Sequence, residues 1–193
     1  LQSMPGGGAE VFSDRLHKRL FPGKASPDRW LEIHRIAHGM GIPSNATLLY
    51  GHIETIEERV AHLTLLRDLQ DETQGFLAFI PIEYQTGDTQ LVSRQASPFD
   101  DLKTIAAARL MLDNFPHIKA YWVTIYEETA SIALHFGADD TDGTIGHERI
   151  SHAARAASPI GLTRDRMVRI ITDAGKVPVE RDALYNEISV YEN

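Results

Sequence analysis

The sequence predicts an α/β fold built on a parallel sheet. Short apolar runs alternate with helix-period segments at intervals of roughly 30 to 40 residues, the spacing of βα units. Within Asn45 to Glu58 the apolar run of a strand gives way to a capping box, Thr55 with Glu58 three residues on, which starts a helix. Ser-Pro pairs at Ser26-Pro27 and Ser97-Pro98 mark helix starts, and Gly41, Gly75 and Gly175 mark helix ends.

Leu1 to Met4 is strand-like and runs into Pro5-Gly6-Gly7-Gly8-Ala9-Glu10. Ser26-Pro27 supplies an N-cap and a first-turn proline; Trp30, Ile33, Ile36 and Ala37 give helical spacing, and Gly41 ends the helix. Asn45 to Tyr50 suits a strand buried on both faces. Thr55 to about Thr73 is a helix with Val60, Leu63, Leu66 and Leu69 on one side, ending near Gly75. Phe76 to Ile82 is the next strand, and Ser97-Pro98 starts the next helix, followed by Pro116. His117 to Val123 reads as a strand, Thr129 to His135 as the end of a short helix, and the ADDTDG stretch around Asp139 as a very short strand. Thr163 caps a last helix that ends at Gly175, and the tail after Lys176 fits no further βα unit. About five βα units result, too few for a closed eight-unit barrel. The chain is expected to be one domain, 1–193, with βα units in 1–143 and a cap in 144–193.

With 193 residues and 42% hydrophobic content the chain can bury one sizeable core. A formal charge of -8 without a dense Lys/Arg cluster argues against nucleic acid as a partner. No run of about 18 apolar residues is present, so no membrane span is expected, and the reading is cytoplasmic. The absence of cysteine excludes disulfides, thiolate zinc sites and Cys-ligated iron–sulfur clusters held by this chain.

Polar residues that follow the strands converge on one end of a parallel sheet, where α/β folds bind ligands. They are Glu10, then Tyr50, His52 and Glu54, then Glu83 and Tyr84, then Tyr121, Trp122 and Thr124, then Asp139, Asp140 and Asp142. Gly7 and Gly8 let backbone approach an anionic group, or simply serve a turn needing positive φ. His52 suits a general base near neutral pH, or a hydrogen-bonded structural role. The three aspartates fail the full calcium-loop pattern, and His34 with His38 lacks a third ligand, so no metal site is assigned. Charges at Glu57, Glu58, Arg59, Arg67 and Asp68 read as a solvated helix face.

SMPGGGAEVFSDR, TLLYGHIETIEERV, LRDLQDETQGFLAFIPIEY, TIAAARLMLDNFPHIKAYWV, FGADDTDGT and KVPVERDALYN together resemble the C-terminal half of the radical SAM aminofutalosine synthase family of menaquinone biosynthesis. Dehypoxanthine futalosine cyclases and the deazaflavin-forming FO synthase subunit share the general pattern. The resemblance implies a partial (β/α) TIM-type barrel carrying family strands four to eight and a C-terminal cap. It implies an enzyme that uses S-adenosylmethionine and a [4Fe–4S] cluster to add a 5′-deoxyadenosyl radical to an enolpyruvyl benzoate. The family's CxxxCxxC loop lies in the N-terminal half, so the cluster belongs to the full-length parent, and this chain alone is expected to be truncated and inactive. That N-terminal half is the implied partner, in cis or in trans.

By the same resemblance Gly7, Gly8, Glu10, Tyr50, Gly51 and Glu54 are cofactor-facing, while His52 and Tyr121 adjoin the substrate. Tyr126-Glu127-Glu128 stands where the family has a Gly/Lys-containing turn, Arg155 replaces a small residue, and the loop from Glu83 to Leu91 departs from the family pattern. Other readings stay open: a non-catalytic half-barrel that self-associates through exposed sheet edges, a different member of the same group, or a metal-assisted hydrolase using His52 and the acidic cluster.

Overall fold

The computed structural model describes all residues except 88–90, 146–148, 155 and 193, so Arg155 and the tip of the 83–91 loop lie outside the described residues. The order is α1 (Asp14–Leu20), α2 (Pro27–Gly39), β1 (Ser44–Tyr50), α3 (Ile56–Thr73), β2 (Phe76–Glu83), α4 (Pro98–Met111), β3 (His117–Ile118), α5 (Trp122–Ala133), α6 (Ile150–Ala153), α7 (Arg164–Asp173), β4 (Val179–Arg181) and β5 (Glu187–Val190). The three central strands are parallel in the order β1-β2-β3. Met4 extends the order before β1 by a single parallel bridge to Ser44, and Asp140 extends it after β3 by one to Lys119. Five segments therefore lie side by side in chain order, each separated by helix, as successive right-handed βα units require.

The helices start where their caps place them. Ser26, Thr55, Ser97 and Thr163 each accept a backbone N–H in the first turn, and Thr55 and Glu58 complete the capping box at 3.2 and 2.9 Å. Helix α1, which the spacing did not single out, is capped by Ser13. Ser13 also donates to Glu58 on α3 at 2.6 Å.

Alternation along β1 and β2 sorts the sheet faces. Ala46, Leu48 and Tyr50 stand opposite Phe79, Pro81 and Glu83 in the register and are buried on the face covered by α3 and α4. Asn45, Leu49, Ile80 and Ile82 point the other way and are only half-buried. The expectation of β1 buried on both faces is thus met on one face. On the second face Thr47 and Ala78 are buried but their neighbours are not, and among the described residues α3 and α4 pack on the first face.

Two expectations for strands fail. Leu1 to Met4 contributes only the bridge at Met4. The expected strand His117 to Val123 is assigned only over His117–Ile118, and Trp122 already begins α5. The β-branched and aromatic run Tyr121 to Tyr126 favours a strand by propensity, but burial of Trp122, Val123 and Ile125 in the core overrides it. Helix α5 is broken at Tyr126, with φ 66 and ψ 161, a region populated essentially by glycine. The Ser158 hydroxyl donates to the Val123 carbonyl at 2.7 Å beside this break. Tyr126→Gly is expected to raise the melting temperature, because relief of about 1–3 kcal/mol of strain exceeds the roughly 0.5–1 kcal/mol of added chain entropy. Thermal unfolding of both proteins checks this, and a lower midpoint for the glycine variant contradicts it.

The tail folds as an antiparallel pair, β4 with β5. Arg181 reaches Asp140 at 2.8 and 2.5 Å, and the Tyr185 ring stacks on His117, the first residue of β3, at 3.8 Å. The VERDALYN segment therefore ties β3 to the segment beside it, through Tyr185 at His117 and through Arg181 at Asp140, the bridge partner of Lys119. A cavity of about 610 Å³ lies between this tail, α7 and residues 138–144. None of the residues singled out around β1 line it. No helix among the described residues is long and apolar enough to cross a membrane.

Candidate cofactor-facing site at the strand ends

The turn after β1 is organised by one carboxylate. The Glu54 side chain is fully buried. It accepts the backbone N–H groups of Gly51 at 2.7 Å and His52 at 2.8 Å, and Arg59 Nε donates to it at 2.8 Å. Gly51 has φ +88 and a Cβ there would meet Ala96 at 3.2 Å, so the turn needs glycine for both reasons. Glu54 thus shapes the segment from within. Arg59, read above as part of a solvated helix face, also donates to Thr104 at 3.0 Å and lies over the Tyr50 ring at 5.2 Å. It ties the turn to the helix layer.

His52 is buried between Phe21 and Tyr84, with ring centroids at 6.4 and 5.7 Å. Its Nε2–H donates to the Leu49 carbonyl at 3.1 Å, which fixes the tautomer in the neutral ring. Its Nδ1 stands 3.1 Å from Glu54 Oε2 without an aligned hydrogen bond. Burial lowers the pKa of His52, and Glu54 offsets only part of that. A neutral imidazole with an unengaged Nδ1 results.

Tyr50 is turned to the helix face, where its hydroxyl donates to Asp101 Oδ1 on α4 at 2.8 Å. Burial first and Asp101 second push its pKa up. The phenol therefore supports the strand end from behind, and only the backbone of Tyr50 borders the turn. Asp101 was not found from the sequence, because nothing local marks a contact between residues 51 positions apart.

On the neighbouring segment, the Gly6–Gly8 turn crosses β1 closely. A Cβ on Gly6 would lie 2.4 Å from the Asn45 carbonyl oxygen, and Thr47 donates to the Gly6 carbonyl at 2.7 Å. A Cβ on Gly7 or Gly8 would meet nothing within 4 Å, and Gly8 has φ +86. The space beside both residues is unfilled, while the Gly7 carbonyl accepts from Trp30 Nε1 at 3.1 Å. Glu10, at φ 51, follows this turn and pairs with Lys24. Tyr121 is the N-cap residue of α5 and its carbonyl accepts from Thr124 N–H at 3.1 Å.

The other residues noted in the sequence sit apart. His34 Nδ1 and His38 Nε2 contact the Ser44 hydroxyl at 2.7 and 2.8 Å, below the sheet at the start of β1. Burial first, then His38, lowers His34 to about 4. Asp139 holds Arg109 and His117, while Asp140 and Asp142 surround Lys119. Burial opposes charge on Asp140, but Lys119 and Arg181 outweigh it and keep its pKa low. Among the described residues no group of three or more His, Asp or Glu is arranged to hold a metal.

The model of the CofH/MqnC C-terminal region matches residues 73–193. Over 197 residues the chain is 52% identical to the aminodeoxyfutalosine synthase of Thermus thermophilus, covering 100% of the chain and 53% of that protein. It is 41% identical over 194 residues to the cyclic dehypoxanthine futalosine synthase of Streptomyces coelicolor, covering 100% of the chain and 48% of the relative. It is also 40% identical over 191 residues to an archaeal 5-amino-6-(D-ribitylamino)uracil--L-tyrosine 4-hydroxyphenyl transferase, from Archaeoglobus fulgidus, covering 96% of the chain and 55% of the relative. The chain spans about half the length of the curated relatives it matches.

Proposed function

Since the chain belongs to the CofH/MqnC family, whose C-terminal region it carries, we propose that it forms the C-terminal part of a radical SAM enzyme that adenosylates an enolpyruvyl benzoate in the aminofutalosine route to menaquinone. The observation that supports this reading is the 52% identity to the aminodeoxyfutalosine synthase of Thermus thermophilus. The aminodeoxyfutalosine synthase of Streptomyces coelicolor is 40% identical, level with the 41% and 40% of relatives named for other reactions, so the choice of substrate rests on the one nearer match and on the substrate panel below. The strand ends support it by geometry: unfilled space beside Gly7 and Gly8, the Glu10 carboxylate beside them, and the Gly51–Glu54 turn facing the same end.

The chain does not fit the [4Fe–4S] cluster, because it has no cysteine to ligate one. S-adenosylmethionine does fit. Gly7 and Gly8 would receive its polar groups on backbone, Glu10 would hold its ribose or amino group, and the Gly51 turn would border the adenine. When bound and reduced by a cluster held elsewhere, S-adenosylmethionine supplies a carbon radical. This chain's residues bind and orient: Glu54 and Arg59 fix the turn, and neutral His52, packed against Glu54, holds its shape without adding charge. His52 and Tyr121 are assigned to the substrate side.

The half-buried row Asn45, Leu49, Ile80 and Ile82 favours a partner over that face, and the cluster-bearing N-terminal half, in cis or in trans, is the occupant proposed. The single bridges at Met4 and Asp140 mark the two ends of the strand series that it would continue. The test is a substrate panel with both halves present, under anaerobic reducing conditions, read by mass spectrometry. An adenosylated product from the enolpyruvyl benzoate alone is expected; turnover only of dehypoxanthine futalosine, or only of tyrosine with the ribitylaminouracil, would reassign the chain within the group.

A further inference from the structure

Two acidic side chains from different elements are enclosed behind the strand ends. Glu83, the last residue of β2, and Asp101 on α4 are each 2% exposed. Tyr50 stands opposite Glu83 in the β1–β2 register and donates its hydroxyl to Asp101 Oδ1 at 2.8 Å. Two carboxylates so placed cannot both carry charge cheaply, since burial penalises each anion and each opposes the other.

The surroundings do not neutralise them. From α3 the facing cation is Arg59, and its guanidinium is engaged by Glu54 and Thr104. On α4, Asp100 adds a further negative charge beside Asp101 but pairs outward with Lys103. The loop after β2 presents neutral Gln85 and Gln95, and α5 presents neutral Thr124. With Arg59 balanced by Glu54, two uncompensated carboxylates face each other, and a retained proton reduces that to one charge.

Glu83 is also where three strand-end segments meet. Its N–H donates to Thr124 Oγ1 at 3.4 Å. Gln85 Nε2 donates to Glu83 Oε2 and to the Glu83 carbonyl at 3.3 Å each, and to the Thr124 carbonyl at 3.2 Å. The next residue, Tyr84, donates its N–H to the Tyr50 carbonyl at 2.8 Å. A Cβ on Gly51 would lie 4.0 Å from Glu83 Cγ, so the carboxyl sits under the turn that Glu54 shapes.

We infer that Glu83 is a positioning residue held as a neutral carboxylic acid, and that loss of its proton loosens the segments 51–54, 84–86 and 121–125 together: a pH-sensitive latch beneath the ligand-facing end of the sheet. Burial first and Asp101 second push the Glu83 pKa up to about 8, while burial raises Asp101 to about 6. A carboxyl raised in the folded state contributes stability that is whole below its unfolded value of 4.5 and is lost as pH rises through about 8. The latch is therefore closed in acid and opens in mild alkali. This inference stands on the described residues and does not depend on the reaction proposed above.

Infrared spectra of the intact protein at neutral pH test it, joined to hydrogen exchange of the three segments followed from about pH 6 to 9 and corrected for intrinsic rates. A protonated-carboxyl stretch is expected in the native protein and absent in Glu83→Gln. Exchange in the three segments is expected to speed up about tenfold across pH 8 in the native protein and to stay level in Glu83→Gln. An unchanged carboxyl band in Glu83→Gln, or the same pH response in both proteins, overturns the inference. Asp101→Asn provides a second reading if Glu83→Gln does not fold: its carboxyl band should titrate at lower pH, and an unmoved midpoint overturns the pairing.

Discussion

Glu54→Ala is expected to cost about 3–5 kcal/mol of folding stability, the range for removing one partner of a buried charge pair. The side chain is fully buried, and its loss strands the Gly51 and His52 N–H groups and one side of the Arg59 guanidinium. The Gly51 and His52 N–H groups lose a buried acceptor and bear a desolvation cost, while Arg59, whose side chain is 25% exposed, recovers part of its hydration, which places the effect toward the lower end of that range. The effect should reach ligand binding as well, because Gly51 has φ +88 only while the turn is pinned. Denaturant unfolding gives the stability change. A midpoint shift equivalent to less than about 1 kcal/mol would show that the turn holds without its carboxylate.

Gly6→Ala is the second large effect. The added methyl would lie 2.4 Å from the Asn45 carbonyl oxygen, 2.6 Å from its carbon and 2.9 Å from Ala46 Cα. All three are backbone atoms of β1 and cannot turn aside as a side chain would. Overpacking of this kind costs about 1–3 kcal/mol or more. The displacement falls between Thr47, which bonds the Gly6 carbonyl, and Glu10, whose carbonyl accepts Leu49 N–H at 2.9 Å. S-adenosylmethionine affinity of the full-length protein should therefore fall together with stability. Gly7→Ala is the control, since a Cβ there meets nothing within 4 Å; equal destabilisation by the two substitutions would contradict the close approach.

Much of the frame was legible because short-range chemistry sets it. Ser26, Thr55, Ser97 and Thr163 each mark a helix start through the hydrogen bond that their own hydroxyl accepts. The apolar runs after Gly41 and Gly75 give β1 and β2 directly. Trp122 to Ile125 was not legible as helix, since β-branched and aromatic residues favour a strand and only tertiary burial decides otherwise. The direction of Tyr50 was missed although Asn45 and Thr47 alternate with Ala46 and Leu48 and set Tyr50 on the apolar side; its partner Asp101, 51 positions away, was out of reach. Arg59 read as surface because its partners, Glu54 and Thr104, come together only once α3 and α4 pack behind β1. Glu83 stood out as a strand-end residue, but Asp101 and the pairing of the two were hidden for the same reason.

The tail was visible as a segment that continues no βα unit, but its role was not. Arg181 and Tyr185 find Asp140 and His117 across more than forty positions of sequence in one case and far beyond any local pattern in the other. The family resemblance carried by VERDALYN thus corresponds to a lock on the β3 edge of the sheet, apart from the residues around β1. Conversely, GGGAE and YGHIET lie at the open end, and the contacts of Gly6 and Glu54 explain why those residue types are needed there.

On the function proposed, this chain carries the ligand-facing strand ends of a radical SAM enzyme and takes its reductive centre from another segment. Formation of 5′-deoxyadenosine from S-adenosylmethionine, under anaerobic conditions with a strong reductant, tests it most directly. The 193-residue chain by itself should form none, and addition of a cluster-bearing N-terminal half should restore cleavage; 5′-deoxyadenosine formed by the isolated chain would contradict the account.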